Sequence, residues 1–390
     1  MRAAHASVAP YPVGMVVSPV PSRSPRVSLT VEQLWQPVPG GSGTYIVELT
    51  RALHDLGRPL VGLAASHPDA PSPRDLGLPA IPVRRSRLPR RALYEAWNRL
   101  ERPLAESITP GAGVAHATTW AVPGTRLPLA VTVHDLAFLR APEHFTRHGA
   151  AYFERALART RESADRVIVP SRATADDCVA AGIPASRITV IPHGVRTLPV
   201  SDEDVAAFRA AHGLSRDYVL WTGTREPRKN LPGLLRAFDR VAAERPDVDL
   251  VLVGPEGWGQ AEETDRLAAS LGDRVRVTGR LSDEDLAAAY AGARAFVFPS
   301  LWEGFGLPVL EAMAYGAPVV TSWGTCMEEV CGDAGLLADP EDASGLARAI
   351  ERALGDEHDD LARAGRARAA RFTWEACAVT HAEVYEELSR

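Results

Sequence analysis

The sequence predicts an α/β fold with two Rossmann-like units, each built on a parallel sheet. Short apolar runs of strand length alternate with amphipathic helical patterns over most of the 390 residues. These runs are too numerous for one doubly wound sheet. A charged, less apolar stretch at 201–204 follows the turn at 191–195 and separates the runs into two sets. We therefore expect each set to form a sheet of its own.

The expected elements follow from the spacing of the apolar residues. Runs of strand length lie at 27–31, 60–64, 129–133, 167–169, 218–221, 250–253, 275–277, 296–298 and 319–321. Apolar residues three and four apart predict helices at 45–56, 152–164, 231–243, 284–291 and 344–354. Thr373 is in the right place to cap a last helix that ends at Leu388.

These elements suggest four segments along the chain. Residues 1–25 contain five prolines and no clear pattern, which is typical of a flexible extension. Residues 26–197 and 198–371 are expected to form the two units. Residues 372–390 are expected to form the terminal helix.

Composition narrows the functional classes. The formal net charge of -6 gives no general attraction to nucleic acid. The four cysteines are scattered, which favours reduced thiols over a metal site or disulfides. No apolar run reaches the length of about 18 residues that a spanning helix needs, and the N-terminus makes a poor signal peptide. We therefore expect a cytoplasmic protein.

Two glutamates, Glu303 and Glu311, stand on either side of an apolar, glycine-containing loop, with seven residues between them. A buried strand precedes this loop, and Pro308 suits the first turn of a helix after it. Free backbone N–H groups and the helix dipole make such a junction an anion site. Because carboxylates accept hydrogen bonds from hydroxyls, a sugar and a ribose on either side of a phosphate would fit.

A second loop, at 223–230, also follows a strand and precedes a helix. Gly223 allows a ligand to approach the backbone closely. Arg228 can bind phosphate oxygens with its planar fork, and Lys229 can bind them as a point charge. Both loops are expected at the carboxyl ends of parallel strands, where open α/β sheets bind ligands.

Two further features lie in the first half of the chain. Gly40 and Gly41 follow the first strand and open a helix, so their backbone can approach a phosphate or sugar. They are not part of a G-x-G-x-x-G motif, which disfavours a nicotinamide dehydrogenase. His134 ends an apolar strand and begins the sequence His-Asp-Leu-Ala-Phe-Leu.

Together these motifs resemble those of the retaining GT-B glycosyltransferases of the GT4 type. The spacing of Glu303 and Glu311 is similar to the family's E-x7-E signature, and 223–230 is similar to its G-x-x-x-x-R-K-N element. The pattern H-D-L-x-F-L-x-x-P-E at 134–143 resembles a branch of the family rich in mannosyltransferases. The resemblance covers residues from about 26 to 390, in the expected order.

The resemblance implies a GT-B fold, in which the parallel sheets of the two units face a cleft between them and the C-terminal helix crosses back to the first unit. It also implies a retaining hexosyltransferase whose catalytic residues are His134, Glu303, Arg228 and Lys229. The implied donor-binding residues are Gly40, Gly41, Gly223, Arg228, Lys229, Leu281, Glu303, Gly304, Phe305, Gly306, Leu307 and Glu311. In the family the first glutamate contacts the transferred sugar, the second contacts the ribose, and the arginine and lysine bind the diphosphate.

The implied donor is a nucleotide sugar, with GDP-mannose preferred and UDP-glucose or another hexose donor left open. The implied acceptor is a glycan or lipid-linked saccharide at the cell surface. No cofactor or metal is expected, because Asp247 and Asp249 precede their strand and so lie at the wrong edge of the sheet. Alternatives outside this class are a nucleotide-sugar 2-epimerase, a pyridoxal-phosphate-dependent phosphorylase and a non-catalytic nucleotide-sugar sensor.

A basic stretch between Arg84 and Arg102 carries seven arginines, opposed by Glu95 and Glu101. Leu93, Trp97 and Leu100 could share one helix face. Two interpretations stay open for this stretch: an amphipathic surface drawn to anionic lipid at the inner face of the membrane, or a solvated helix with a packed apolar side.

Overall fold

The computed structural model describes residues 24–68, 71–257 and 261–390. The flexible extension expected at 1–25 lies outside the described residues, apart from its last two. In the described part of the chain, two parallel sheets with helices on both faces account for nearly all the regular structure. The predicted α/β class with two Rossmann-like units is therefore confirmed.

The first sheet has strand order β3-β2-β1-β4-β5-β6-β7, and every neighbouring pair is parallel. The elements are, in chain order, β1 (Val27–Thr30), α1 (Gly40–Asp55), β2 (Leu60–Ala64), β3 (Val83–Arg85), α2 (Arg90–Leu100), α3 (Ala105–Ile108), β4 (Val114–Ala117), β5 (Leu129–Thr132), α4 (Ala137–Arg140), α5 (Arg147–Ser163), β6 (Arg166–Val169), α6 (Arg172–Ala180) and β7 (Ile188–Val190).

The second sheet has strand order β10-β9-β8-β11-β12-β13 and is also parallel throughout. Its elements are α7 (Asp202–Ala211), β8 (Asp217–Thr222), α8 (Leu231–Glu244), β9 (Val248–Val253), α9 (Ala261–Ser270), β10 (Val275–Gly279), α10 (Asp283–Ala291), β11 (Ala295–Phe298), α11 (Leu307–Tyr315), β12 (Val319–Ser322), α12 (Cys326–Cys331), β13 (Leu336–Ala338), α13 (Ala343–Leu354) and α14 (His358–Ala369).

Each sheet has a point where the strand order reverses direction along the chain. In the first sheet this point lies between β1 and β4, and in the second it lies between β8 and β11. The loops that leave two such strands at their carboxyl ends diverge to opposite faces of the sheet and leave a crevice between them. The predicted Arg-Lys loop leaves β8 and the predicted glutamate loop leaves β11, so they border the same crevice.

The last helix, α15 (Trp374–Leu388), crosses back to the first unit. Thr373 caps it by accepting a hydrogen bond from the backbone N–H of Ala376, as predicted. Buried residues of α15 share a hydrophobic cluster with β1, α1 and β2 of the first unit. At the surface, Arg166 of β6 pairs with Glu387 at 3.2 Å. The predicted crossing of the terminal helix is confirmed.

The predicted strands and helices are all present, with ends that shift by a few residues. The strands that the apolar runs did not reveal are β3, β4, β7 and β13, each of three or four residues. Two of them form the outer edges of the first sheet and are only partly buried or exposed, so their sequences need no apolar run. Among the described residues, no helix combines the length and the apolar composition that crossing a bilayer would require.

Candidate active site

The loops after β8 and β11 meet in a cluster of charged side chains. Lys229 Nζ donates to Glu303 Oε1 at 2.6 Å, and the Arg228 guanidinium contacts the other oxygen of the same carboxylate. Arg228 also pairs with Glu226 at 2.7 Å. The backbone N–H of Leu301 donates to the carbonyl oxygen of Arg228 at 2.8 Å, which joins the two loops directly. The sequence therefore brings four charged groups together at the crevice of the second sheet.

This cluster is nearly closed to solvent, and its charges depend on one another. Burial alone would raise the pKa of Glu303, but Arg228 and Lys229 outweigh it and lower that pKa to about 2. The pKa of Lys229 is lowered, because burial and the neighbouring Arg228 charge outweigh its attraction to Glu303. Burial raises the pKa of Glu226. Two cations thus stand close together in a site of low polarity, which an incoming polyanion would stabilise.

The helix α11 begins at the end of the glutamate loop and leaves donors unpaired. Gly306 adopts φ 95°, a left-handed conformation that favours glycine, and Pro308 lies in the first turn. No described residue accepts a hydrogen bond from the backbone N–H groups of Phe305, Gly306 or Leu307. These N–H groups lie at the positive end of the helix dipole, which is where the sequence leads us to expect an anion site.

Glu311 lies half-buried on α11, one turn further along the helix. Its Oε2 accepts a hydrogen bond from the hydroxyl of Tyr290 at 2.9 Å, and that hydroxyl is 2.8 Å from Thr222 Oγ1. Burial raises the pKa of Glu311, against the hydrogen bond from Tyr290. The other carboxylate oxygen, Oε1, has no hydrogen-bond partner among the described residues. It is therefore available to accept from a ligand hydroxyl.

His134 reaches the same region from the first unit. Its Nε2 donates to the carbonyl oxygen of Thr118 at 3.0 Å, which fixes the tautomer and leaves Nδ1 as an acceptor. Burial lowers its pKa, which favours the neutral ring. The carbonyl oxygen of His134 lies against Gly304: a Cβ at that position would stand 1.8 Å from it. Only glycine permits this close contact between the two units.

The remaining predicted donor-binding residues surround this centre. Gly40 and Gly41 lie in the first turn of α1, where a Cβ on Gly41 would be 3.7 Å from Leu307 of the other unit. Phe305 is buried, with its ring 5.0 Å from that of His193. Gly223 adopts φ 148° beside Lys229. Leu281 stands apart from the charged cluster, beyond the end of β10 and two strands from β8.

A buried chain of hydrogen bonds supports the His134 side of the cleft. The Tyr385 hydroxyl lies 2.7 Å from His116 Nδ1, His116 Nε2 lies 2.8 Å from Thr132 Oγ1, and Thr132 lies 2.8 Å from the Tyr45 hydroxyl. Tyr45 is 2.9 Å from His381 Nε2, and His381 Nδ1 is 2.8 Å from the carbonyl oxygen of Cys377.

That carbonyl can only accept, so His381 Nδ1 carries the proton and its Nε2 accepts from Tyr45. Tyr45 in turn accepts from Thr132, and Thr132 accepts from His116 Nε2. His116 Nδ1 therefore accepts from the hydroxyl of Tyr385. The direction of every hydrogen bond in the chain is thereby fixed. The chain joins α15 to α1, β4 and β5. His116 is fully buried.

Several contacting residues carried no recognisable signal in the sequence. Glu226 is one, although it lies within the Arg-Lys loop. Ser171, Thr174 and Glu329 are the others, and they join α6 of the first unit to the second unit. Their partners lie more than a hundred residues away in the chain, so local pattern could not have found them.

The Asp-x-Asp sequence does not reach the cleft. Asp249 is buried near the amino end of β9, where Arg216 and Arg274 bind it at 3.0 and 3.2 Å. Asp247 pairs with Arg245 at 3.0 Å. In the described part of the chain, no three His, Cys, Asp or Glu side chains converge in a way that could hold a metal ion.

The basic stretch has its apolar side packed inside the protein. Leu93 and Trp97 of α2 are buried, whereas Leu100 is 70% exposed. Arg87 and Arg91 are exposed and form no ion pair with any described residue. Contact with a membrane through this surface would thus depend on its arginines and on Leu100.

Family models and known proteins match this architecture. Residues 39–197 match the model described as Glycosyltransferase Family 4, and residues 204–371 match Glycosyl transferases group 1. The O-antigen chain mannosyltransferase B of Escherichia coli is 37% identical over 276 residues, which cover 67% of this chain and 71% of that protein. The MMP alpha-(1→4)-mannosyltransferase of Mycolicibacterium hassiacum is 29% identical over 414 residues, covering 89% and 95%.

Among solved structures, Anabaena HepE in complex with UDP and glucose superposes with a TM-score of 0.73 at 21% identity, covering 93% of this chain and all of that one. At that identity the match concerns the fold. Together with the sequence matches, it shows that the chain belongs to glycosyltransferase family 4 and is a glycosyltransferase with the GT-B fold.

Proposed function

We propose that this enzyme transfers mannose from GDP-mannose to a glycan or lipid-linked saccharide, with retention of configuration and without a metal. The observation that carries the proposal is the cluster of Arg228, Lys229 and Glu303 beside the unpaired N–H groups at the start of α11. The relatives named as mannosyltransferases support the choice of sugar. The choice of GDP-mannose as the donor rests on the resemblance of the sequence at 134–143 to the mannosyltransferase branch.

The cluster suggests how the donor would be held. The diphosphate would take over the Arg228 and Lys229 contacts that Glu303 now makes, and the N–H groups of α11 would bind its remaining oxygens. Glu303, released from its cations, would accept hydrogen bonds from the sugar hydroxyls. Glu311 would accept from the ribose through its unpaired Oε1.

The same groups would stabilise the transition state. As the bond from the sugar to the diphosphate breaks, negative charge grows on the leaving oxygen, and preorganised cations and N–H groups stabilise it. That oxygen would take the proton of the acceptor hydroxyl on the same face of the sugar. His134 would orient the sugar through its free Nδ1. No protein nucleophile takes part in this scheme.

The acceptor and the setting are inferred from the relatives. One of them is named for the O-antigen chain, a cell-surface polysaccharide, which favours a saccharide acceptor in polysaccharide or glycolipid synthesis. We place the reaction in the cytoplasm, with the arginine surface around α2 as a contact to anionic lipid.

A donor panel tests the proposal. Purified protein would be mixed with GDP-mannose, UDP-glucose, ADP-glucose and UDP-GlcNAc, and both the thermal midpoint and sugar transfer to a mannose-terminated acceptor would be measured. We expect the largest rise in the midpoint, and the only transfer, with GDP-mannose. Transfer from UDP-glucose would overturn the donor assignment and leave the enzyme class intact.

Two further outcomes would reject the reaction itself. Conversion of UDP-GlcNAc without acceptor would make the protein an epimerase, and binding without turnover of any donor would make it a sensor. Transfer should continue in excess EDTA, and its loss, restored by Mg²⁺, would refute the metal-free scheme.

A further inference from the structure

The first turn of α6, in the first unit, contacts the glutamate loop of the second unit. Ser171 Oγ donates to the carbonyl oxygen of Gly304 at 2.7 Å, and Thr174 Oγ1 lies 3.1 Å from the same oxygen. Both side chains are buried, with 0% and 2% exposure. Ser171 Oγ accepts from the N–H of Thr174, which leaves its own hydrogen for Gly304. Two buried hydroxyls thus use both lone pairs of one carbonyl.

A second set of contacts fixes α6 against the second unit. The carboxylate of Glu329 on α12 accepts hydrogen bonds from the backbone N–H groups of Arg172 and Ala173, at 2.9 and 2.8 Å. These N–H groups belong to the positive end of α6, where a carboxylate is favoured. The helix can therefore hold the Gly304 carbonyl only when the two units are together.

The held carbonyl determines where the next N–H group points. A peptide group is planar and trans, so the N–H of Phe305 is directed opposite to the carbonyl of Gly304. With that carbonyl bound to α6, the N–H of Phe305 points away from α6. No described residue accepts a hydrogen bond from it. It belongs to the anion site at the start of α11.

We propose that Ser171 and Thr174 are positioning residues, which act through the Gly304–Phe305 peptide to direct the Phe305 N–H at the diphosphate of the donor. This inference rests on the proposed function. It means that α6 of the first unit completes the anion site of the second unit without itself touching the diphosphate. Closure of the two units and stabilisation of the leaving group are then one event.

The test compares Thr174→Val, which removes the hydroxyl at nearly constant volume, with Thr174→Ser, which keeps it. Losing a hydrogen bond to a buried carbonyl predicts a fall in kcat of about tenfold for Thr174→Val. KM should change little, because the N–H contact strengthens as charge develops on the leaving oxygen. Thr174→Ser should recover most of kcat. Asp176→Asn, on the exposed side of α6, is the matched control and should behave as wild type.

A structural role would give another result. It would lower the thermal midpoint of Thr174→Val and raise KM, and Thr174→Ser would not restore kcat; that pattern refutes the inference. So does a wild-type kcat in Thr174→Val. If Thr174→Val does not fold, Ser171→Ala is measured in the same way, and wild-type kcat there is likewise refuting. An inactive wild-type enzyme would instead reject the proposed function, so the two failures are distinguishable.

Discussion

Glu303 is the residue on which the charged cluster depends. Its side chain is 9% exposed, and each of its oxygens contacts a different cation. Removing one member of a buried ion pair usually costs more than the pair contributes, because the remaining charge is left buried without a partner. The cluster therefore links local stability to the chemistry proposed for the site.

The lowered pKa of Glu303 predicts a pH-dependent stability. Since the pKa falls from an ordinary 4.5 to about 2 on folding, the ion pairs stabilise fully above pH 4.5, and that stabilisation is lost as the pH falls toward 2. We expect Glu303→Gln to lower the free energy of unfolding by about 3 kcal/mol at pH 6. The difference in the free energy of unfolding between this variant and wild type should be smaller by about 1 kcal/mol at pH 3.5.

Urea unfolding at a series of pH values measures both quantities. Glu244→Gln is the control, since Glu244 is exposed and forms no ion pair with a described residue. If the free energies of unfolding of Glu303→Gln and wild type differ by the same amount down to pH 3.5, the ion pairing is contradicted.

Arg228 is the second residue whose role can be isolated. A charge-assisted hydrogen bond contributes roughly 1.5–3 kcal/mol, so Arg228→Ala should lower turnover by more than about tenfold. Arg236→Ala is the matched control: Arg236 lies on α8, is half-exposed and pairs with Glu263 away from the crevice. Steady-state kinetics give the turnover of both variants. Equal turnover in the two would remove Arg228 from the site.

At the scale of elements, the sequence pattern of α2 is compatible with both a membrane-binding surface and a solvated helix with a packed apolar side. Leu93 and Trp97 face the core, which is what a solvated helix with a packed side requires. The apolar side is thus already used, and what remains for a membrane is mainly charge. Each arginine near an anionic surface contributes about 1 kcal/mol, so several together could still hold the protein there.

Vesicle sedimentation tests this surface. Wild type should bind vesicles of phosphatidylcholine with phosphatidylglycerol, and should not bind pure phosphatidylcholine. The double variant Arg87→Glu/Arg91→Glu should lose most of the binding because its charge repels anionic lipid. Arg266→Glu/Arg280→Glu makes the same charge change on exposed residues of the second unit and should bind as wild type. Equal binding by the two double variants would exclude α2 as the contact.

At the scale of the whole molecule, the buried hydrogen-bond chain from Tyr385 to His381 joins the terminal helix to the first unit. Burial lowers the pKa of His381 to about 4 and holds that of His116 well below its usual range. A histidine whose pKa is lowered on folding stabilises the protein above its ordinary pKa of 6.5, and this contribution is lost as the pH falls toward the folded value.

The free energy of unfolding should therefore fall between pH 7.5 and 5. His381 by itself contributes a loss of about 2 kcal/mol over that range. His381→Gln should be less stable than wild type at pH 7.5. Between pH 7.5 and 5, its free energy of unfolding should fall by about 2 kcal/mol less than that of wild type. Chemical denaturation at both pH values gives the comparison. An equal loss of stability in wild type and His381→Gln would contradict the lowered pKa of His381.

Local sequence was enough to predict the alternation of strands and helices, the Thr373 cap and the two loops that carry Arg228 and Glu303. A strand, a loop with glycine and a helix start are neighbours in the chain, and their physics acts over a few residues. The short strands at the edges of the first sheet were missed because exposed edges need no apolar run.

The sequence by itself determined which chemical groups this enzyme has and which edge of each sheet they occupy, since chain direction fixes the end at which a strand releases its loop. Only the tertiary structure decided that Ser171 and Thr174 meet the Gly304 carbonyl, and that Tyr45 meets His381, a residue 336 positions away. The contacts of Gly304 form between the two units, and that of His381 forms between the terminal helix and the first unit. Packing over such separations depends on the shape of the whole chain.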